Sequence, residues 1–119
     1  MSWRVEFFVD ERGHAPIEDF FASLPVEHRA KLLALVRMLE HEGPSLPFPY
    51  CSQIHGKLRE LRAQQGKDNL RVFYFGDATR TFILLHGIVK RSRNTPEQDI
   101  RIAEQRMESH MRRIEGRNK

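Results

Sequence analysis

KLRELR (57–62), NLRVFYF (69–75) and TFILLHGIV (81–89) are three β-prone runs separated only by QQGKD and GDATR. Connections this short, carrying Gly and Asp, join neighbouring antiparallel strands, so the middle of the chain is committed to a meander. The last run is almost continuously apolar, which suits a central strand covered on both faces.

The flanking segments supply the cover. WRVEFFV (3–9) reads as a strand ended by the turn DERGH, and APIEDFFASL then starts a helix at Pro16, with Ile17, Phe20, Phe21 and Leu24 at helical spacing. A second helix is predicted from about Pro25 to Glu42, with Leu32, Leu35, Val36 and Leu39 on one face and Gly43-Pro44 as its stop. PSLPFPYCSQ, with three prolines, reads as a loop. TPEQ matches a capping box, Thr95 as cap and Pro96 in the first turn. The helix it opens carries a narrow apolar stripe of Ile100, Ala103, Met107, Met111 and Ile114, and a frayed polar tail is expected from about 114. The predicted fold is α+β: an N-terminal strand, a helical pair, a three-stranded antiparallel meander and a C-terminal helix. With 119 residues, the chain is expected to form a single domain over 1–119.

Several function classes are set aside by the same reading. No apolar run approaches the roughly 20 residues of a spanning helix, and MSWRVEFFVDE is acidic where a signal peptide is apolar, so the chain is expected in the cytoplasm without a membrane partner. Cys51 is the only cysteine, which excludes an internal disulfide and a thiolate metal cluster and leaves a packing residue. His14, His28, His41 and His110 have no metal-ligand spacing, and there is no glycine-rich nucleotide loop, so neither a metal nor another cofactor is expected.

Charge is distributed unevenly. Residues 1–54 hold five Lys/Arg against eight Asp/Glu, residues 55–95 hold nine against three, and the remainder six against five. The positive excess thus belongs to the meander, where it can attract an anion although the net charge is only +4. Strand parity sets Glu60 with Arg62, and Arg71 with Phe73 and Phe75, leaving Leu61, Val72 and Tyr74 for the helical pair. On adjacent strands, Arg62, Arg71 and the Lys90/Arg91 end of the last strand converge on one side, as an anion-binding hollow or as ordinary exposed charge.

The order of elements, with GKLRELR, NLRVFYF and ILLHGIVKRSRNTP, resembles the HigB-like branch of the RelE toxin superfamily, including its phage-derived members. The resemblance covers roughly residues 3 to 113. It implies a toxin of a type II toxin–antitoxin pair: an mRNA endonuclease acting on messages engaged by the ribosome, held inactive by a cognate antitoxin that often carries a helix-turn-helix domain. Arg71 stands where the family has its sheet arginine, Arg62 in the preceding basic strand, and Lys90 with Arg91 at the basic pair after the last strand. Lys57, Arg59, His55 and Arg93 then become RNA contacts. RelE has a tyrosine a few residues after that pair, whereas the matching stretch here, SRNTPEQ, has none.

RNA cleavage by 2′-OH attack needs a base for the hydroxyl, cations for the phosphorane and an acid for the leaving 5′ oxygen, and it needs no metal. Arg62, Arg71 and Arg91 provide bidentate donors, Lys90 a mobile point charge. Glu60, His55 and His86 are candidates for proton transfer, each with a plainer role available. Glu60 can pair with Arg62 or Arg71, His55 can be a loop residue, and His86, inside an apolar strand, can be a bonded core histidine. Phe48, Tyr50 and Tyr74 can stack on a base or simply pack. The apolar stripe of the terminal helix packs on its own sheet or helps receive an antitoxin segment. The rival functions are an RNA-binding module that does not cut, and an inactivated homologue acting only as a protein partner.

Overall fold

The computed structural model describes residues 3–91 and 96–117. Five strands, β1 (Arg4–Phe7), β2 (Cys51–His55), β3 (Leu58–Gln65), β4 (Asp68–Gly76) and β5 (Thr81–Lys90), form one sheet in the order β1-β5-β4-β3-β2. Helices α1 (Pro16–Ser23) and α2 (Val26–Glu42) follow β1, a 3-10 turn (Gly43–Ser45) ends α2, and α3 (Glu97–Arg117) closes the order. β1 pairs with β5 in parallel, and the other pairings are antiparallel.

The β3–β4–β5 meander forms as its two short turns require, and α1 and α2 start and stop where Pro16 and Gly43 direct. The sheet nevertheless has five strands where the sequence predicts four. The missed one, β2, follows directly on Pro44, Pro47 and Pro49, and only Cys51 of its five residues is buried. Such an edge strand is specified by its partner: Cys51 to Gln53 pair with Leu61 to Arg59. At the other end α3 begins just after Pro96, whose carbonyl accepts from the N–H groups of Asp99 and Ile100. The proposed cap Thr95 lies outside the described residues. α3 also runs on to Arg117, past the point where fraying is expected.

Each face of the sheet has its own apolar cluster. Leu61, Leu70, Val72, Tyr74, Phe82 and Leu84 meet Ile17, Phe21, Leu32, Leu35 and Leu39 of the helical pair. Leu58, Phe73, Phe75, Ile83 and Leu85 meet Ala103, with Ile100, Met107 and Met111 of α3 beside them, so the stripe of α3 packs on its own sheet. Polar ties hold α3 in place: Asp99 to His86 Nε2 at 2.7 Å, Arg106 to the Leu85 carbonyl at 2.7 Å, and Arg113 to the Val9 carbonyl at 2.6 Å.

One irregularity positions the site. Tyr74 pairs with Leu84 but Phe73 pairs with His86, so Leu85 is an extra residue in β5. Such a bulge shifts the alternation by one. Ile83 and Leu85 face α3 before it, and Ile88 joins the same cluster after it. Lys90, opposite Asn69, is thereby turned to the α3 side; an unbroken alternation would turn it toward the helical pair. Gly87 beside the bulge allows close packing of α1, since a Cβ there would stand 2.3 to 2.7 Å from atoms of the Phe20 ring.

Candidate functional site

At the end of the α3-side face nearest Lys90, the side chains change from apolar to charged. Arg62 on β3 and Arg71 on β4 are paired directly opposite each other, an arrangement of like charges that is unfavourable unless something intervenes. Glu60 intervenes: its Oε1 lies 3.7 Å from Nε of each arginine and accepts a 3.3 Å hydrogen bond from the Ser52 hydroxyl. Glu60 is 5% exposed and Arg71 4%.

Arg71 Nη1 donates to the carbonyl of Leu70 at 3.1 Å, while its buried Nε finds no hydrogen-bond acceptor among the described residues. Burial pushes the Arg71 guanidinium down from its ordinary range, Glu60 pushes it up, and Arg62 pushes it down again. Lys90 belongs to the same field. Burial and then the charge of Arg71 hold its ammonium below the usual lysine value, against the opposing pull of Glu60. Glu60 thus lies in the field of three cations. At the edge of β3, where α2 packs, a hollow of about 430 Å³ is lined by Lys31, Leu35 and Met38 of α2 and by Tyr50, Asn69, Arg62 and Arg71, so the two arginines border both the α3-side cluster and this hollow. It lies where β2 has ended and β3 continues, Arg62 N–H donating to the Tyr50 carbonyl at 2.8 Å.

The structure brings together Glu60, Arg62 and Arg71 as strand parity indicates, and the bulge at Leu85 adds Lys90 to them. Arg91 instead turns to Asp68, 3.4 Å away, and its side chain is 80% exposed. Asp68 also accepts from His28 of α2 at 3.0 Å, and those two partners, His28 first, hold its carboxyl low against the effect of burial. Arg59 pairs with Tyr74 on the helical-pair side of the sheet and donates to Cys51 Sγ at 3.3 Å. His86 stacks on Phe73 and is held by Asp99 through Nε2 and Arg106 through Nδ1, so its place is the junction of β5 with α3. His55 pairs with Glu104 of α3 at 3.3 Å, and Lys57 is exposed in the β2–β3 turn. Arg93 lies outside the described residues. Sequence reasoning missed Lys31 and Asn69 as lining residues; α2 carries Lys31 to the hollow from far away in the chain, and no local pattern marks it.

The family model described as Phage derived protein Gp49-like (DUF891) matches residues 19–108, from α1 into α3 and through all four clustered side chains. The chain belongs to this Gp49-like family. Among solved structures, it resembles a chain of the archaeal RelE–RelB complex from Pyrococcus horikoshii OT3, with 23% sequence identity and a TM-score of 0.53. The match covers 79% of this chain and 100% of that one, and it shows that the Gp49-like sheet and helices here take the RelE fold. No curated protein matches. Among the described residues, no helix is long and apolar enough to cross a membrane, and no group of three or more His, Cys, Asp or Glu is placed to hold a metal ion.

Proposed function

We propose that this chain is the toxin of a type II toxin–antitoxin pair and cleaves mRNA on the ribosome by 2′-OH attack, without a metal. The observation that carries the reading is the gathering of Glu60, Arg62, Arg71 and Lys90 from three strands at one end of a RelE-type sheet, beside an open hollow. A phosphodiester drawn into that field meets cations where negative charge accumulates on the phosphorane. Arg62 offers a planar fork to the non-bridging oxygens, and the buried Arg71 adds its positive charge from beneath. Glu60 keeps the two guanidinium groups in place and takes the 2′-OH proton as that oxygen bonds to phosphorus and the bond to the 5′ oxygen breaks. Lys90, with its ammonium held low, is the member suited to passing a proton to the leaving 5′ oxygen. A protein segment covering the hollow would silence the enzyme; we assign that role to a cognate antitoxin with a helix-turn-helix domain, in the cytoplasm where translated messages lie.

A second reading, an RNA-binding module that does not cut, is favoured by one observation. Both histidines considered for proton transfer are paired with carboxylates of α3. One experiment separates the two: incubate the protein with ribosomes stalled on a defined message and sequence the RNA ends. The nuclease predicts fragments ending in 2′,3′-cyclic phosphate, reduced at least 100-fold (about 2.7 kcal/mol) in Arg62→Ala and Lys90→Met. Binding of the message without new ends would overturn cleavage and leave the binding module. The alkaline limb gives a further check. Proton donation requires the ammonium form, which is lost as pH rises through a pKa lying below 10.5, so activity falls on that side, and Lys90→Arg moves the fall to higher pH.

A further inference from the structure

We infer that Phe48 and Tyr50 form a stacking subsite for an unpaired nucleobase next to the phosphate-binding cations. The inference rests on the RNA reading above and adds to it the part of the nucleotide that the cation cluster does not contact.

Large aromatic side chains normally contribute most of their surface to a core. Here Phe48 is 68% exposed and Tyr50 42%, and they are the aromatic members of the exposed large apolar residues among the described positions. Tyr50 borders the hollow, and Phe48 lies outside its lining, against Arg62. Tyr50 lines the same 430 Å³ hollow as Arg62 and Arg71. The Arg62 guanidinium lies 5.1 Å over the Phe48 ring, so the arginine that reaches for phosphate is also the one that touches the aromatic platform.

The platform is anchored through its backbone. Tyr50 N–H donates to the Pro47 carbonyl at 3.0 Å, and the Tyr50 carbonyl accepts from Arg62 N–H at 2.8 Å, which ties the segment to β3. The hollow falls within the roughly 300–1,000 Å³ of small-ligand sites, room enough for a single nucleotide. Arg62 and Arg71 beside Tyr50, with Phe48 against Arg62, set cations next to aromatic rings and match the two chemically distinct halves of a nucleotide. Single-stranded RNA is commonly held in this way, by stacking that tolerates any base and by charge along the backbone.

The test uses a fluorescently labelled single-stranded hexanucleotide, 2′-O-methylated so that it cannot be cut, and a series in which one abasic site is moved along it. Anisotropy titrations compare the wild type, Phe48→Ala/Tyr50→Ala, Phe48→Trp and Arg62→Ala. In the wild type, one abasic position is expected to weaken binding by about 5- to 150-fold. That discrimination disappears in Phe48→Ala/Tyr50→Ala and survives in Phe48→Trp, which keeps a ring. If no abasic position matters in the wild type, or if the discrimination persists without both rings, the subsite is overturned while a loss of affinity in Arg62→Ala still upholds phosphate binding. If the wild type binds no oligonucleotide and Arg62→Ala changes nothing, the RNA reading falls and takes the subsite with it.

Discussion

Under α1 and α2 the sheet presents Leu61, Leu70, Val72, Tyr74, Phe82 and Leu84 to a continuous apolar layer, whereas under α3 the apolar surface of Phe73, Phe75, Ile83 and Leu85 gives way to Glu60, Arg62, Arg71 and Lys90. The first face is built as a domain core is, by removing apolar area from water. The second face stops short of that optimum. Burying a charge is costly, and replacing a buried ion pair by well-packed apolar groups is often neutral or stabilising. The contrast teaches that the two faces differ in what they add to stability, the charged end adding little for the charge it buries.

Substitutions can break or sharpen this contrast. The largest effect belongs to the apolar face: Leu61→Ala, at a fully buried position, should lower unfolding free energy by about 2–5 kcal/mol in urea titrations. Gly87→Ala should cost about 1–3 kcal/mol by forcing a methyl group against Phe20, and less in a Phe20→Ala background; additivity of the two would refute the clash.

Asp77 tests the far end of the sheet. Burial pushes its carboxyl up, but hydrogen bonds from Thr79, His110 and Thr81 prevail and hold it below its ordinary 3.8. Because the folded value is the lower one, this stabilisation is present above 3.8 and is lost as pH falls through the folded value. Asp77→Asn should therefore cost about 1–3 kcal/mol at pH 7 and flatten the acid side of a plot of melting temperature against pH. The smallest effect on stability is expected at the charged end. Glu60→Leu/Arg71→Met should stay within about 1 kcal/mol of wild type or exceed it, while RNA cleavage is lost.

Much of this contrast was legible in the chain. The short turns specify the meander, and alternation of side chains separates Arg71 from Val72 and Tyr74. Convergence of Arg62, Arg71 and Lys90 could also be anticipated, but not the means. The bulge at Leu85 leaves no mark, because the apolar run Ile83 to Leu85 and the pair Ile88 and Val89 fit either phase of alternation. β2 was hidden behind three prolines. The turning of Arg91 toward Asp68, and of His86 toward Asp99 and Arg106, depends on pairings between distant segments that local patterns do not encode.

The most direct test of the central claim is growth of a host after induced expression of wild type beside Glu60→Leu/Arg71→Met, with mRNA ends mapped by primer extension and both proteins shown to melt at similar temperatures. Arrest and new mRNA ends are expected with the wild type, and neither with the equally stable variant. Arrest with unchanged mRNA ends in the variant would contradict the claim, since the buried charges would then be dispensable for the chemistry assigned to them.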